Sequence, residues 1–203
     1  MSDPGQFLNS SYTEPLELPK AVLPNQIETW IIDDIYYPKW KKFLALFKDE
    51  NEGHKNTGFS GGVQFYKPNM DYPTDIDPRL EFQSFIKFQL QQLPINVGQF
   101  KKAWGVRYPT GAYSLLHDHI LGKQLTAILF LDDCDADINL PYAGNLFTLQ
   151  PTEDNTIQYR THPTQAGKMV IMDGRVFHGT YPTLNERKVF VVDFNYNPTP
   201  TFD

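Results

Sequence analysis

Only one cysteine, Cys134, occurs in 203 residues, so no internal disulfide can form. It sits in the acidic run Asp132-Asp-Cys-Asp-Ala-Asp137, where neighbouring carboxylates disfavour a thiolate, and it reads as a plain thiol. No apolar run is long enough to span a bilayer. The opening Met-Ser-Asp-Pro-Gly-Gln lacks the basic and apolar regions of a secretion signal, so a cytoplasmic protein is expected. Positive charge is also in short supply: 18 Lys and Arg face 24 Asp and Glu, a net charge of -6. The pairs Lys41-Lys42 and Lys101-Lys102 are too small for a nucleic-acid footprint, and no such partner is indicated. Histidine is scarce enough, at five, for each one to be weighed singly.

What is plentiful points to strands and loops. Aromatics make up 14% of the chain, which favours β structure, and 16 prolines argue against a helical bundle. Residues 1–26, rich in Pro, Ser and Glu, are expected to be irregular, and 27–203 to form a single domain. A strand is predicted over 27–33. Pro38 opens a predicted helix over 39–48, with Trp40, Phe43, Leu44 and Phe47 on one apolar face. A second helix is predicted from 78 to 93, its apolar residues being Leu80, Phe82, Phe85, Phe88 and Leu90, with Pro94 as its stop. Between the helices lies a polar loop, 49–77. Its Gly58-Phe-Ser-Gly-Gly62 lacks the Lys and the following helix of a phosphate cradle. From about 101 the pattern becomes short β runs between turns: 102–108, 112–118, 124–131, 145–150, 155–161, 168–172, 175–181 and 187–195. The expected fold is mostly β, a jelly roll with an N-terminal helical layer.

His117 and His119 are two residues apart, so an extended segment turns both imidazoles to one face. Two neutral imidazoles there can be two ligands of a transition metal. His178 comes 61 residues after His117, behind the strand-like run 168–172, and Arg187 follows nine residues later. We read His117, His119 and His178 as a metal site and Arg187 as an anion anchor opening a strand whose partner begins near His178. Alternation turns Asp118 away, making it the second choice to His119. His54 and His162 read as surface residues.

These residues carry a resemblance. Tyr108-Pro-Thr-Gly111 through His117 resembles the Tyr-x-x-Gly-x5-His run of the prolyl-4-hydroxylase-like 2-oxoglutarate/Fe(II) dioxygenases. Thr126-Ala-Ile-Leu-Phe-Leu131, Ala143-Gly-Asn-Leu-Phe147, Ala166–Asp173, His178-Gly-Thr-Tyr-Pro182 and Arg187 match further family motifs in order. The similarity spans roughly residues 27–197. It implies a double-stranded β-helix with Fe(II) at His117 and His178. It also implies 2-oxoglutarate held by Arg187 with help from the Tyr108 hydroxyl, and O2 as partner. The activity implied is hydroxylation of a substrate, with release of succinate and CO2. The departure is at 119, where the family's His-x-Asp/Glu reads His-Asp-His. Three outcomes stay open: His119 ligates, Asp118 swings in, or two protein ligands suffice. Two rivals stand beside this reading. Gly111, His117, His119 and Gly167 before His178 also fit parts of a cupin-type three-histidine metal site that does not use 2-oxoglutarate. Against the cupin, its glutamate slot holds Gln124 and Arg187 has no role. The other rival is a non-catalytic jelly-roll binding protein. Loops 49–77 and 132–143 are the expected substrate walls.

Overall fold

The computed structural model describes residues 29–47, 54–55, 64–66, 78–91, 95–119, 124–134, 137–151 and 156–198. The expected irregular segment 1–26, the glycine-rich run 58–62 and most of loop 49–77 lie outside them. The strands, in chain order, are β1 Ile31–Tyr36, β2 His54–Lys55, β3 Gln64–Tyr66, β4 Ile95–Tyr108, β5 Gln124–Phe130, β6 Leu146–Pro151, β7 Ile157–His162, β8 Lys168–Asp173, β9 Phe177–Thr180 and β10 Arg187–Pro198. They form two antiparallel sheets. The large one runs β1-β8-β5-β10-β4-β3-β2 and the small one β7-β6-β9. This is the expected jelly roll, with β4 beginning earlier and β10 ending later than their apolar runs suggest. The two strands pair along almost their whole length through two register shifts, which carries the ladder past the polar residues at each end. The run 112–118 is not a strand. No helix among the described residues is long and apolar enough to cross a membrane, a statement that does not bear on strand-built barrels.

Strand alternation divides the interior in two. Phe190, Val192 and Phe194 of β10 face a helical layer, where they join Phe43, Phe47, Phe82, Ile86 and Leu90 in one apolar cluster. Phe43 stacks on Phe190 with ring centroids 4.0 Å apart. Gly105, opposite Phe190 on β4, leaves room for Phe47: a β-carbon there would come within 2.6 Å of the ring. Val189 and Val191, on the other face of β10, pack with Val106, Ile128, Phe130, Leu146, Val170 and Met172 between the sheets.

The helical layer differs from expectation in detail. Residues Trp40–Phe47 form a 3-10 helix. Its first turn has no acidic residue, and Lys39, Lys41 and Lys42 put positive charge at the end where a helix dipole is already positive. The α-helix α1, Pro78–Gln89, starts at the expected proline, and its Glu81 bridges to Lys39 and Lys42. Its buried face is Phe82 and Ile86, continued by Leu90 just past its end; Leu80 and Phe88 are exposed. Spacing explains the correction, since 82, 86 and 90 fall on one stripe while 80 and 88 flank it.

His162 is not a surface residue. It ends β7 on the inward face and is only 3% exposed. Its Nδ1 donates to Asp33 Oδ2 at 3.1 Å and its Nε2 accepts from Thr148 Oγ1 at 3.0 Å. A bulge in β1, with Asp34 at φ 60, breaks the pairing beside Asp33, so this hydrogen bond ties the two sheets together. Burial lowers the pKa of His162 below 6.5, against the pull of Asp33, and keeps the ring neutral. The unfolded chain therefore binds more protons below pH 6.5 than the folded one. Stability from this group is complete above that pH and is lost as the pH falls. The melting temperature of the metal-free protein is expected to drop between about pH 7 and pH 5.5, and His162→Gln to flatten that slope. An unaltered slope in the variant would exclude His162 as a source.

Candidate metal centre and anion pocket

The segment Ala112–His119 lies along the free side of β9 as a broken ladder. Thr183 and Thr180 donate backbone bonds to Ala112 and Ser114, at 3.1 and 3.2 Å. His117 and His178 then exchange both backbone bonds, at 3.0 and 2.8 Å. Leu115 and Leu116 loop out between these contacts and are exposed. The His119 amide donates to the Gly174 carbonyl at 2.8 Å. Backbone hydrogen bonds thus bring together imidazoles that are far apart in the chain. The nitrogens these three rings offer lie within 4.8 Å of one another. Asp118 stays outside this group and acts on His117 only through its charge.

Each ring has its Nδ1 engaged. His117 Nδ1 donates to the Leu115 carbonyl at 2.8 Å, and His178 Nδ1 to the Val176 carbonyl at 3.0 Å. His119 Nδ1 lies 2.9 Å from Asp193 Oδ1 and 2.9 Å from Thr126 Oγ1. Such acceptors hold the proton on Nδ1 and leave Nε2 as a lone pair, the form in which histidine ligates a metal. Burial holds His178 well below its ordinary pKa of 6.5, with His117 and His119 adding to the effect. Burial also lowers His117, partly countered by the Leu115 carbonyl. Both rings therefore stay neutral at physiological pH.

Arg187 begins β10 and is 0% exposed. Its partners are Tyr108 on β4 and, further along β10, residues of β5. His178 belongs to the other sheet. The expected pairing of the Arg187 and His178 strands is therefore not formed: the two residues lie in different sheets. The guanidinium carbon sits 4.3 Å over the Tyr108 ring. Nη1 donates to the Gly144 carbonyl and, at 3.1 Å, to Thr164 Oγ1. Gly144 has φ 67, and a β-carbon there would collide with Cys134 Sγ, so this carbonyl is aimed by a residue that must be glycine. Nε and Nη2 have no hydrogen-bond partner among the described residues. Burial pulls the Arg187 pKa down, yet a guanidinium starts so high that it stays charged. A buried cation with two free donors is unfavourable until an anion meets it, and a carboxylate can take two parallel bonds.

On β10, Arg187, Val189, Val191 and Asp193 share one face, so the α-carbons of Arg187 and Asp193 are about 20 Å apart along the strand, with the two valines between them. Trp104 borders the histidines, its ring centroid 5.8 Å from that of His119, and Lys102 Nζ lies 4.8 Å over Trp104. Sequence reasoning missed Asp193, Thr126, Thr164 and Trp104. Asp193 could have been found, since six residues from Arg187 on one strand means the same face. Thr164 comes from a turn with no periodic signal.

No protein-family model and no curated protein matches the sequence. Solved structures do. A Pseudomonas putida prolyl-4-hydroxylase superposes with a TM-score of 0.60 at 18% identity, covering 82% of this chain and 91% of that one. A Trichoplax adhaerens prolyl hydroxylase, in complex with a hypoxia-inducible factor oxygen degradation domain peptide, gives 0.59 at 13% identity, covering 82% and 83%. HygX from Streptomyces hygroscopicus, with nickel, 2-oxoglutarate and hygromycin B bound, gives 0.56 at 14% identity, covering 84% and 83%. The fold is therefore that of the prolyl-4-hydroxylase-like double-stranded β-helix.

Replacing the unpaired guanidinium by an apolar chain of similar length removes a desolvation cost. Arg187→Met is expected to hold or raise the melting temperature of the ligand-free protein. A marked fall would mean that the guanidinium is structurally satisfied.

Proposed function

We propose that this chain is a non-haem Fe(II) and 2-oxoglutarate-dependent dioxygenase that hydroxylates a substrate, with release of succinate and CO2. The observation that carries the reading is Arg187: a buried guanidinium with two donors unused and no carboxylate in ion-pair contact among the described residues, in a chain where three imidazoles converge. The residues fit both groups. His117, His119 and His178 would hold the iron, and the remaining positions would stay open. Arg187 would grip one carboxylate of 2-oxoglutarate through Nε and Nη2. Tyr108 would hold the guanidinium against its ring face, with its hydroxyl within 2.8 Å of Ser114 Oγ. Bound iron and 2-oxoglutarate supply oxidative decarboxylation of the co-substrate coupled to hydroxylation of a C–H bond. The chain itself orients the two groups and keeps water from the apolar space between them, lined by Val106, Ile128, Val189 and Val191. Trp104 and Lys102 flank the histidines where a substrate would enter. HygX, with nickel and 2-oxoglutarate in a similar fold, supports the assignment. A cupin-type centre leaves Arg187 without work and is less well supported.

The test is an anaerobic titration of the purified chain with Fe(II) and 2-oxoglutarate. A visible charge-transfer band is expected only when the co-substrate chelates the metal. Arg187→Met is expected to weaken 2-oxoglutarate binding by at least about tenfold while metal affinity is kept, the scale of one charge-assisted contact. No band in the wild-type protein, or full affinity in the variant, counts against the proposal.

A further inference from the structure

We infer that Asp193, braced by Thr126, is a positioning residue for the metal centre. It supplies from behind His119 the negative charge that a carboxylate ligand at 119 would have supplied directly. This deepens the proposed function and rests on its metal site. Asp193 is 6% exposed and Thr126 is fully buried. Thr126 Oγ1 donates to Asp193 Oδ1 at 2.8 Å, and His119 Nδ1 approaches the same oxygen at 2.9 Å, so one carboxylate oxygen takes both bonds and fixes the ring. Among the described residues, His119 is the only basic group within ion-pair distance of this carboxylate. Lys102 is its register partner on β4, yet the Lys102 ammonium lies over Trp104 instead.

A buried carboxylate without a cation is unfavourable. A dication on the far nitrogen of the ring would supply the opposite charge that Asp193 lacks. The hydrogen bond makes the ring a stronger donor to the metal and holds the proton on Nδ1. His119 and Asp193 thus work as a pair, which explains how a histidine can stand at 119 without leaving the centre short of negative charge.

Co(II) is a suitable probe because its visible d–d bands report the ligand set. Titrations of the full chain compare wild type with Asp193→Asn, which keeps the acceptor and removes the charge, and Asp193→Ala, which removes both. Asp193→Asn is expected to weaken Co(II) binding about 10- to 100-fold, and Asp193→Ala more, with shifted d–d bands at saturation. Metal-free melting of Asp193→Asn is expected to stay at or above wild type. Unchanged Co(II) affinity and spectra in both variants would overturn the inference alone. So would an affinity loss matched by an equal loss of metal-free stability, since that marks a purely structural aspartate. Failure of the wild-type chain to bind Co(II) would remove the metal reading along with it.

Discussion

The alternation of β10 is the constraint from which the rest of the molecule follows. It is paired on both sides, with β4 and with β5, so none of its central residues can turn over without breaking two ladders. One face carries Phe190, Val192 and Phe194 into the helical layer. That burial is what fixes the register, because a slip of one residue would move three large apolar side chains out of the core. The opposite face then has no freedom: Arg187 must enter the interior at one end and Asp193 at the other. The functional side chains are held in place by the hydrophobic effect acting on their neighbours.

Much of this was legible in the sequence, and the parts that were not share a cause. The strands from β5 to β10 follow the predicted runs because each alternates or is continuously apolar between turn residues. The helix faces were legible only in outline: Leu80 and Phe88 look like core by composition and are exposed by phase. The segment 112–118 looked like a strand because its residues suit one. Its geometry instead comes from contacts with β9 and with Gly174, long-range hydrogen bonds that have no local signature. His162 was misread for the same reason, since its partners Asp33 and Thr148 come from other strands. The convergence of His117, His119 and His178 was expected from spacing and motif. The network behind His119 depends on which residues meet across the sheet, and a histidine pair by itself does not reveal that.

The partly satisfied Arg187 and the three imidazoles share an energetic logic. Each is a group that a well-packed core would exclude or satisfy, and each here retains a donor or a lone pair directed toward the interior. Stability is given up at these points and recovered in the aromatic layer on the other side of the large sheet. Rigidity matters as much as cost. Gly144, Thr164 and Tyr108 restrict the guanidinium from three directions, and carbonyls or a carboxylate fix every imidazole. Side chains so constrained need little rearrangement when a ligand arrives, which limits the entropy lost on binding.

Charge balance connects the two ends of this face of β10. On the proposed reading, a dication and a guanidinium bring three positive charges into a space walled by valine and isoleucine. A doubly ionised 2-oxoglutarate supplies two negative charges, and the third has to come from the protein. In a centre with a carboxylate ligand, that charge lies on the metal. Here Asp193 provides it through the His119 ring, so the interior stays neutral overall while the metal sees three nitrogen donors. Moving the charge back by one ring weakens its hold on the metal and leaves the ion more electron-poor toward whatever fills its open positions. On the same reading, a second carboxylate bound directly to the ion would overcompensate. Asp118 stays outside the cluster and its charge acts on His117 from there, which fits Asp193 as the proposed balancing charge.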